Sequence, residues 1–596
     1  MRLIHPSKVM LCVAAATLLA AARGGLADDR SQFDAALDLL PADAVAAVIV
    51  PRCSATSEQL GRVNEILGLR VPELVDVLGE LKQRSGLRKG FRNDGTAIFI
   101  VRGPFAMAAA VPGVALLPVD DFGRFTADFQ VETVEGVSRL EMPDGRAPFA
   151  KPIPGYAVVG ADRQSVASYQ PPRTAGVWKK MLGPLGTIRL RESDFGVIIN
   201  VEKVAPVLQP LVTQALRFQL DNNVLISQEQ RAACAAMFGM AGDSIAAFLR
   251  DTQAIGLALD LQKGGVALSV TAQFRPDSPL AGLFHGKGTA APELLANLPD
   301  DPYLMAAAAN TNGFSLQKLL PPLLERLPAA MGGIEKLLPH QRKLVAQLRG
   351  QAMVIYGDRP QEPGGEAAMK FAAALEVADS KAYVEAIREY LEAFDGQTLP
   401  LMPGGEVTVT CSYRPNERVV GGIQCDRYEV RYAYPEGYEQ QIGPWADFMK
   451  LMGMEGAAGY IAAVDEHRIV QTNTTDAQLI SKLVAAARTQ RGLGTQGPIR
   501  EAREVVSGPA AALEMFLSVA DILRFAEPWI GAQPGPNQGA GQLAESRPVA
   551  IRGELEGDAA AGRVFVPMGV LHRIRQMVAP QEGNQFGGPG QMPYGR

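Results

Sequence analysis

The chain has 596 residues, 47% of them hydrophobic, with 58 basic and 63 acidic side chains and a formal charge of −5. That is ample apolar material for sizeable cores. No basic stripe is present, which excludes a nucleic-acid partner, since phosphate recognition needs clustered Lys and Arg.

Residues 1–27 read as a secretory signal: Arg2, His5 and Lys8 precede an apolar stretch too short for an ordinary membrane span, and Gly25 and Ala27 supply the small residues for cleavage before Asp28. Cys12 follows Leu11, where a lipidation site needs a small residue. No later run of about 18 apolar residues occurs, so the mature chain is not expected to be an integral membrane protein. Its expected location is the periplasm or the outside of the cell.

A strand over 45–50 is followed by helical periodicity across 57–81. Strands over 95–101 and 113–119 lead to Asp121, placed to cap a helix. Strands near 131–141 and 156–161 lead to a short helix opened by Asp162. A strand over 194–201, helical stretches over 202–218 and 227–250, and a hairpin of 254–260 with 266–274 follow. The order then recurs. LPADAV at 40–45 returns as LPDDPY at 298–303, and LPVDDFGRF at 117–125 returns as LEVADSKAY at 375–383, both at an offset of 258 residues. GTAIFIV at 95–101 returns as GQAMVIY at 350–356. Asp379 and Asp476 stand where Asp121 and Asp162 stood, and 550–555 with 563–567 repeat the closing hairpin.

The expected fold is therefore α+β, as two related units over 28–290 and 291–576. Each is a mainly antiparallel sheet with helices packed on one face. The Gly/Gln/Pro-rich segment 577–596 reads as a disordered tail and 531–542 as a loop.

The second copy is longer between its helix-opening aspartates, by a stretch at 397–456. Strand alternation there places Tyr428, Tyr432 and Tyr434 on one face, and with Trp445 they form a candidate binding face. Packing on the copy's own sheet is the competing and stronger reading. Cys411 and Cys425 flank the hairpin and are the candidate disulfide; Cys53 and Cys234 read as buried thiols.

Chemistry-bearing motifs are absent. The segment 282–287 misses phosphate-loop spacing, and there is no GxSxG, HExxH or GxGxxG. His285, His340, His467 and His572 are scattered. The four helix-opening aspartates read as caps before catalytic pairs. No catalytic residue, cofactor or metal is expected.

The LPxD opening at 40–43, the Gly103-Pro104-Phe105-Ala106 segment and the LPVDD helix start at 117–121 resemble uncharacterised, internally duplicated exported proteins of planctomycete-type bacteria. The resemblance covers most of the mature chain and implies export and duplication, with no activity attached. The functional expectation is an exported non-catalytic protein binding a partner or ligand, whether protein, glycan or lipid. The alternatives are an apolar-ligand carrier and a hydrolase with unrecognised carboxylates.

Overall fold

The computed structural model describes residues 29–578 apart from 70, 104–112, 144, 223–227, 263, 284–290, 311–333, 359–367, 401–405, 439–455, 496, 507–510 and 527–546. The leader, residues 579–596 of the expected tail, the 531–542 loop, His285 and Trp445 lie outside the described residues, as does the Cys234 side chain; Met577 and Val578 end the Met568–Val578 helix. No helix among the described residues is long and apolar enough to cross a membrane.

Among the described residues twenty-one strands are formed. In chain order they are β1 (Ala44–Val50), β2 (Ala97–Arg102), β3 (Gly113–Pro118), β4 (Gln130–Val134), β5 (Val137–Glu141), β6 (Phe149–Ile153), β7 (Tyr156–Gly160), β8 (Phe195–Asn200), β9 (Thr252–Gln262), β10 (Gly265–Phe274), β11 (Met305–Asn310), β12 (Leu348–Asp358), β13 (Ala368–Val377), β14 (Thr398–Pro400), β15 (Glu406–Val420), β16 (Ile423–Ala433), β17 (Gly456–Ala463), β18 (Arg468–Thr472), β19 (Ala511–Leu517), β20 (Val549–Glu556) and β21 (Ala559–Pro567). Antiparallel pairing sets them side by side as β4-β5-β6-β7-β3-β2-β1-β8-β9-β10-β21-β20-β19-β11-β12-β13-β18-β17-β16-β15-β14. With β14 set aside, the order of β1 to β10 read inward from one end matches that of β11 to β21 from the other.

The α+β class stands, and two features of the expectation are corrected. First, the strands belong to one sheet rather than two, because β10 and β21 pair along their full length, from Gly265 opposite Pro567 to Gln273 opposite Ala559. Second, helices cover both faces toward the two ends. Adjacent strand residues point to opposite faces. Leu116 joins a core with Phe33 and Leu37 of the Asp29–Leu37 helix, while Leu117 joins one with Phe125 and Leu78. At the other end Val470 packs with Leu483 of the Ala477–Thr489 helix, and Ile469 with Tyr383 of the Ser380–Phe394 helix. Strands buried on both faces need apolar residues in both registers, as LLPV at 116–119 and AALEV at 373–377 supply.

The repeated LP segments are held by buried aromatic donors. Trp178 Nε1 donates to Pro41 O at 2.9 Å, and the Tyr356 hydroxyl to Pro299 O at 2.9 Å. The described residues of the stretch at 397–456 join the sheet. Its strands β15 and β16 take the place in the sheet that β4 and β5 take at the opposite end, with the short β14 added beyond β15.

Candidate functional site: the two faces of the central strands

Between the helix-covered ends, the central strands show an inversion. Cross-strand register places Leu259, Leu268, Val564, Ile551, Met515, Ala307 and Met353 directly opposite one another, from β9 to β12. A neighbouring row runs Val197, Leu257, Val270, Gly562, Gly553, Leu513 and Ala309. Every side chain in both rows is aliphatic or absent. Yet Leu268 is 44% and Val270 41% exposed, and most of their row neighbours are only half-buried. The first row crosses six strand spacings, roughly 29 Å.

The opposite face of the same strands carries small and charged residues, and it is covered. Gly256, Ala258, Ala267, Ser269 and Thr271 are buried there, leaving room for the Val177–Arg191 helix to come close. That helix kinks at Gly183, whose φ of 67° suits glycine. A Cβ there would also lie 2.0 Å from Gln273 Oε1, so that side chain would have to move.

Past the kink, Arg189 reaches the sheet. Its Nη2 lies 2.7 Å from Glu554 Oε1 and 2.6 Å from Oε2, with the two side chains 6% and 2% exposed. Glu554 Oε1 also lies 3.0 Å from Arg552 Nε, and Arg552 Nη1 lies 3.6 Å from Glu514 Oε1. Arg503, from the Gly497–Val505 helix, brings Nε to 2.8 Å from Glu514 Oε2 and lies over the Phe516 ring. Arg563 stands opposite Arg552 and reaches Asp260 Oδ2 at 3.1 Å. Burial, and then the nearby Arg189, lower the Arg563 pKa. The result is a chain of ion pairs, Arg189–Glu554–Arg552–Glu514–Arg503, on β19 and β20, with the Arg563–Asp260 pair of β21 and β9 beside it. Its carboxylates are engaged by guanidinium groups, which suits them to holding strands and helices together rather than to proton transfer.

The sequence-predicted residues lie elsewhere. Tyr428 is 8% exposed, and its hydroxyl donates to Thr472 O at 2.7 Å and accepts from Gln471 Nε2 at 3.1 Å. Tyr432 packs with Val409 and with Phe394 of the Ser380–Phe394 helix. Tyr434 stacks on Tyr438 with ring centroids 5.3 Å apart. The tyrosines are thus turned toward the protein's own helix and loop. Cys411 and Cys425 are unbonded, which corrects the disulfide expectation. A register shift between Arg414 and Arg418 sets Cys411 opposite Val430 and Cys425 opposite Arg418. Cys411 packs beside Val409 and Phe394, whereas Cys425 joins the core on the opposite face of the sheet.

The aspartates cap helices, as expected. Asp121 accepts from Arg124 N at 2.7 Å, Asp162 from Ser165 N at 2.7 Å, Asp379 from Ala382 N at 2.9 Å and Asp476 from Gln478 N at 2.8 Å. Hydrogen bonds from Ser165 hold Asp162 below its ordinary pKa, and the Lys370 ammonium does the same for Asp476. His340 lies 3.9 Å from Glu389, and His467 Nδ1 contacts Ala378 O at 2.9 Å. Among the described residues no group of His, Cys, Asp and Glu is placed to hold a metal ion. Sequence reasoning missed Arg189, Glu514, Arg552 and Glu554. The one available signal was Glu514 in the middle of the apolar strand AALEMFL.

Comparison with protein-family models, curated proteins and solved structures found no match to this chain.

Proposed function

We propose that this is an exported, non-catalytic protein of the cell envelope or extracellular space that binds the aliphatic chains of a lipid on the open face of its central strands. One observation carries the reading: rows of Leu, Val, Ile and Met lie partly uncovered across β9, β10, β21, β20 and β19, while Arg and Glu of the same strands are buried behind them. Large uncovered apolar surface marks a binding site. A glycan or peptide carries hydrogen-bonding groups, which lose their water without replacement on such a face. An aliphatic chain needs no such partner, and its burial is favourable.

The mirrored strand order and the repeats at 40–45 and 298–303 also support an internal duplication, with its pseudo-twofold between β10 and β21. On that reading the apolar rows continue across the junction of two related halves. The absence of recognisable catalytic motifs from the sequence, and the capping role of the four aspartates, favour binding over hydrolysis.

Native mass spectrometry on the chain from Asp28 to Arg596, purified from its own envelope fraction, tests the reading. The expected result is a discrete added mass, released as lipid by organic solvent. Leu268→Glu with Val270→Glu, both at exposed positions, should lose it. A bare wild-type chain overturns the proposal.

A further inference from the structure

The two hairpins that meet at the centre of the sheet differ at one matched place. The pair that closes each turn is Gln262 with Gly265 in one and Glu556 with Ala559 in the other. Three steps inward, Leu259 stands opposite Leu268 in β9–β10, whereas Gly553 stands opposite Gly562 in β20–β21. All four positions are on the open face. Away from the strand ends, the exposed residues of β9, β10, β19, β20 and β21 are Leu268, Val270 and Gly562. They are neighbours, since Val270 is opposite Gly562 and Leu268 is two residues along. The glycine pair thus makes a notch in the aliphatic face. Its floor is backbone, and its border is Val270, Leu513, Ile551, Leu555, Ala560 and Val564. From Val270 to Leu513 it crosses three strand spacings, about 14 Å between Cα atoms, and from Ala560 to Val564 about 13 Å of strand.

Nothing in the fold requires glycine at 562. Its φ lies outside the left-handed region, and no register shift interrupts β21 in either of its pairings. A Cβ built there meets nothing within 4 Å. Gly553 differs, because an added Cβ would lie 3.1 Å from Leu513 Cβ. Glycine inside a strand lowers stability and gives up apolar area, and it suits a place where a ligand approaches the backbone closely.

We infer that Gly562, with Gly553, is the specificity determinant of the lipid site: the notch seats a flat, fused-ring hydrocarbon, and the aliphatic rows beside it take the rest of the molecule. The inference rests on the lipid-binding reading above and names its ligand class.

Width and polarity select a ring system over a straight chain. A straight chain is accommodated by the furrow between two rows of side chains, with or without the glycines. Removing two side chains that stand opposite each other widens the floor across two strands, and a ligand of that width is what makes use of it. The floor strands are paired on both sides, and every bordering side chain is aliphatic. The notch therefore offers no hydrogen-bonding group, and a carbonyl or hydroxyl pressed against it would lose its water without replacement. A flat hydrocarbon face meets the bare backbone with continuous dispersion contact, and rigid rings have little conformational freedom to lose on binding.

The test is binding of cholesterol, whose fused rings have one flat hydrocarbon face, and of palmitate. Each is offered from a cyclodextrin complex to the delipidated chain from Asp28 to Arg596. Wild type should prefer cholesterol. Gly562→Leu, which supplies the side chain present in the other hairpin, should weaken cholesterol binding about tenfold or more and leave palmitate binding within about twofold. Gly562→Ala should fall between. The melting temperatures of both variants should hold or rise, because the new side chain enters open space and glycine is a poor strand former. A wild type that prefers palmitate, or cholesterol binding that survives Gly562→Leu undiminished, overturns the inference. Palmitate binding that Leu268→Glu with Val270→Glu abolishes, with no preference for cholesterol, sinks the ring seat and leaves the lipid reading standing. A wild type that binds neither probe also overturns the inference, and if it carries no lipid from its envelope fraction, the lipid reading falls with it.

Discussion

The two faces of the central strands share a backbone and differ in what lies over them. On β20, Ala550, Arg552 and Glu554 point inward and Ile551 and Leu555 outward; on β19, Glu514 and Phe516 point inward and Met515 and Leu517 outward. In an ordinary half-covered sheet the aliphatic set would be the buried one. Here the charged set is buried because the Val177–Arg191 and Gly497–Val505 helices each bring an arginine to a carboxylate of the sheet. The comparison teaches that burial at the centre is decided by helix placement and charge pairing, which leaves aliphatic residues free for another use.

The largest effect should come from breaking the chain of ion pairs on the covered face. Glu514→Ala removes the carboxylate that Arg503 and Arg552 share, leaving Arg552 with Glu554 alone in a dry environment, and the expected loss is about 3–5 kcal/mol, read from the denaturant midpoint. Leu268→Ser on the open face should cost under about 1 kcal/mol, because much of its apolar surface is already in water. Equal losses from the two substitutions would mean that the faces do not differ as described.

A buried carboxylate held without such ion pairs sharpens the contrast. Asp194 is 3% exposed and accepts from Leu261 N at 2.7 Å, and burial pushes its pKa up from 3.8 to about 6. The folded chain thus binds this proton more tightly than the unfolded chain does. Its contribution to stability is greatest below pH 3.8, falls as pH rises toward about 6, and is level above that. Asp194→Asn should remove that slope, so the gap between wild type and variant should change across this interval and stay constant above it. Parallel stability profiles for the two proteins over the whole interval would show that Asp194 titrates normally.

Much of the local structure was legible in the sequence, and the reason is range. A cap depends on one side chain and the N–H three residues on, so Asp121, Asp162, Asp379 and Asp476 could be placed from their neighbours alone. Strand alternation was equally legible: AIRGELE at 550–556 shows two sets of residues on two faces. Which set faces inward was not legible, because that depends on Arg189, which is 365 residues from Glu554. The merging of two expected sheets into one was hidden for the same reason. Pairing of β10 with β21 joins edges about 300 residues apart in the chain, Gly265 opposite Pro567. The tyrosines of β16 looked like a binding face because alternation reports a shared face and says nothing about what covers it.

Helix capping should give a smaller effect, and its two copies can be compared. Asp379→Ala should cost about 1 kcal/mol through the lost Ala382 hydrogen bond. Asp476→Ala should cost slightly more, since Asp476 also takes Lys370 Nζ at 2.9 Å in a partly exposed pair. Equal losses in high salt and unequal losses in low salt would assign the difference to the ion pair.

The smallest expected effect concerns Cys411 and Cys425, where the two faces of the sheet meet again. A disulfide needs Cα atoms within about 4.4–6.8 Å and Cβ atoms turned toward each other. Cys411 stands opposite Val430 and faces Phe394, whereas Cys425 stands opposite Arg418 and lies in the core on the other side. Joining them would require β15 to slip against β16, and a slip of one residue exchanges the faces of every side chain on the strand. Val409 would then leave its core beside Phe394. Reductant should therefore leave the melting temperature unchanged, and alkylation after unfolding without reductant should label both thiols. A cross-linked peptide containing both cysteines would overturn the register of β15 against β16, and with it the assignment of the tyrosines to the covered face.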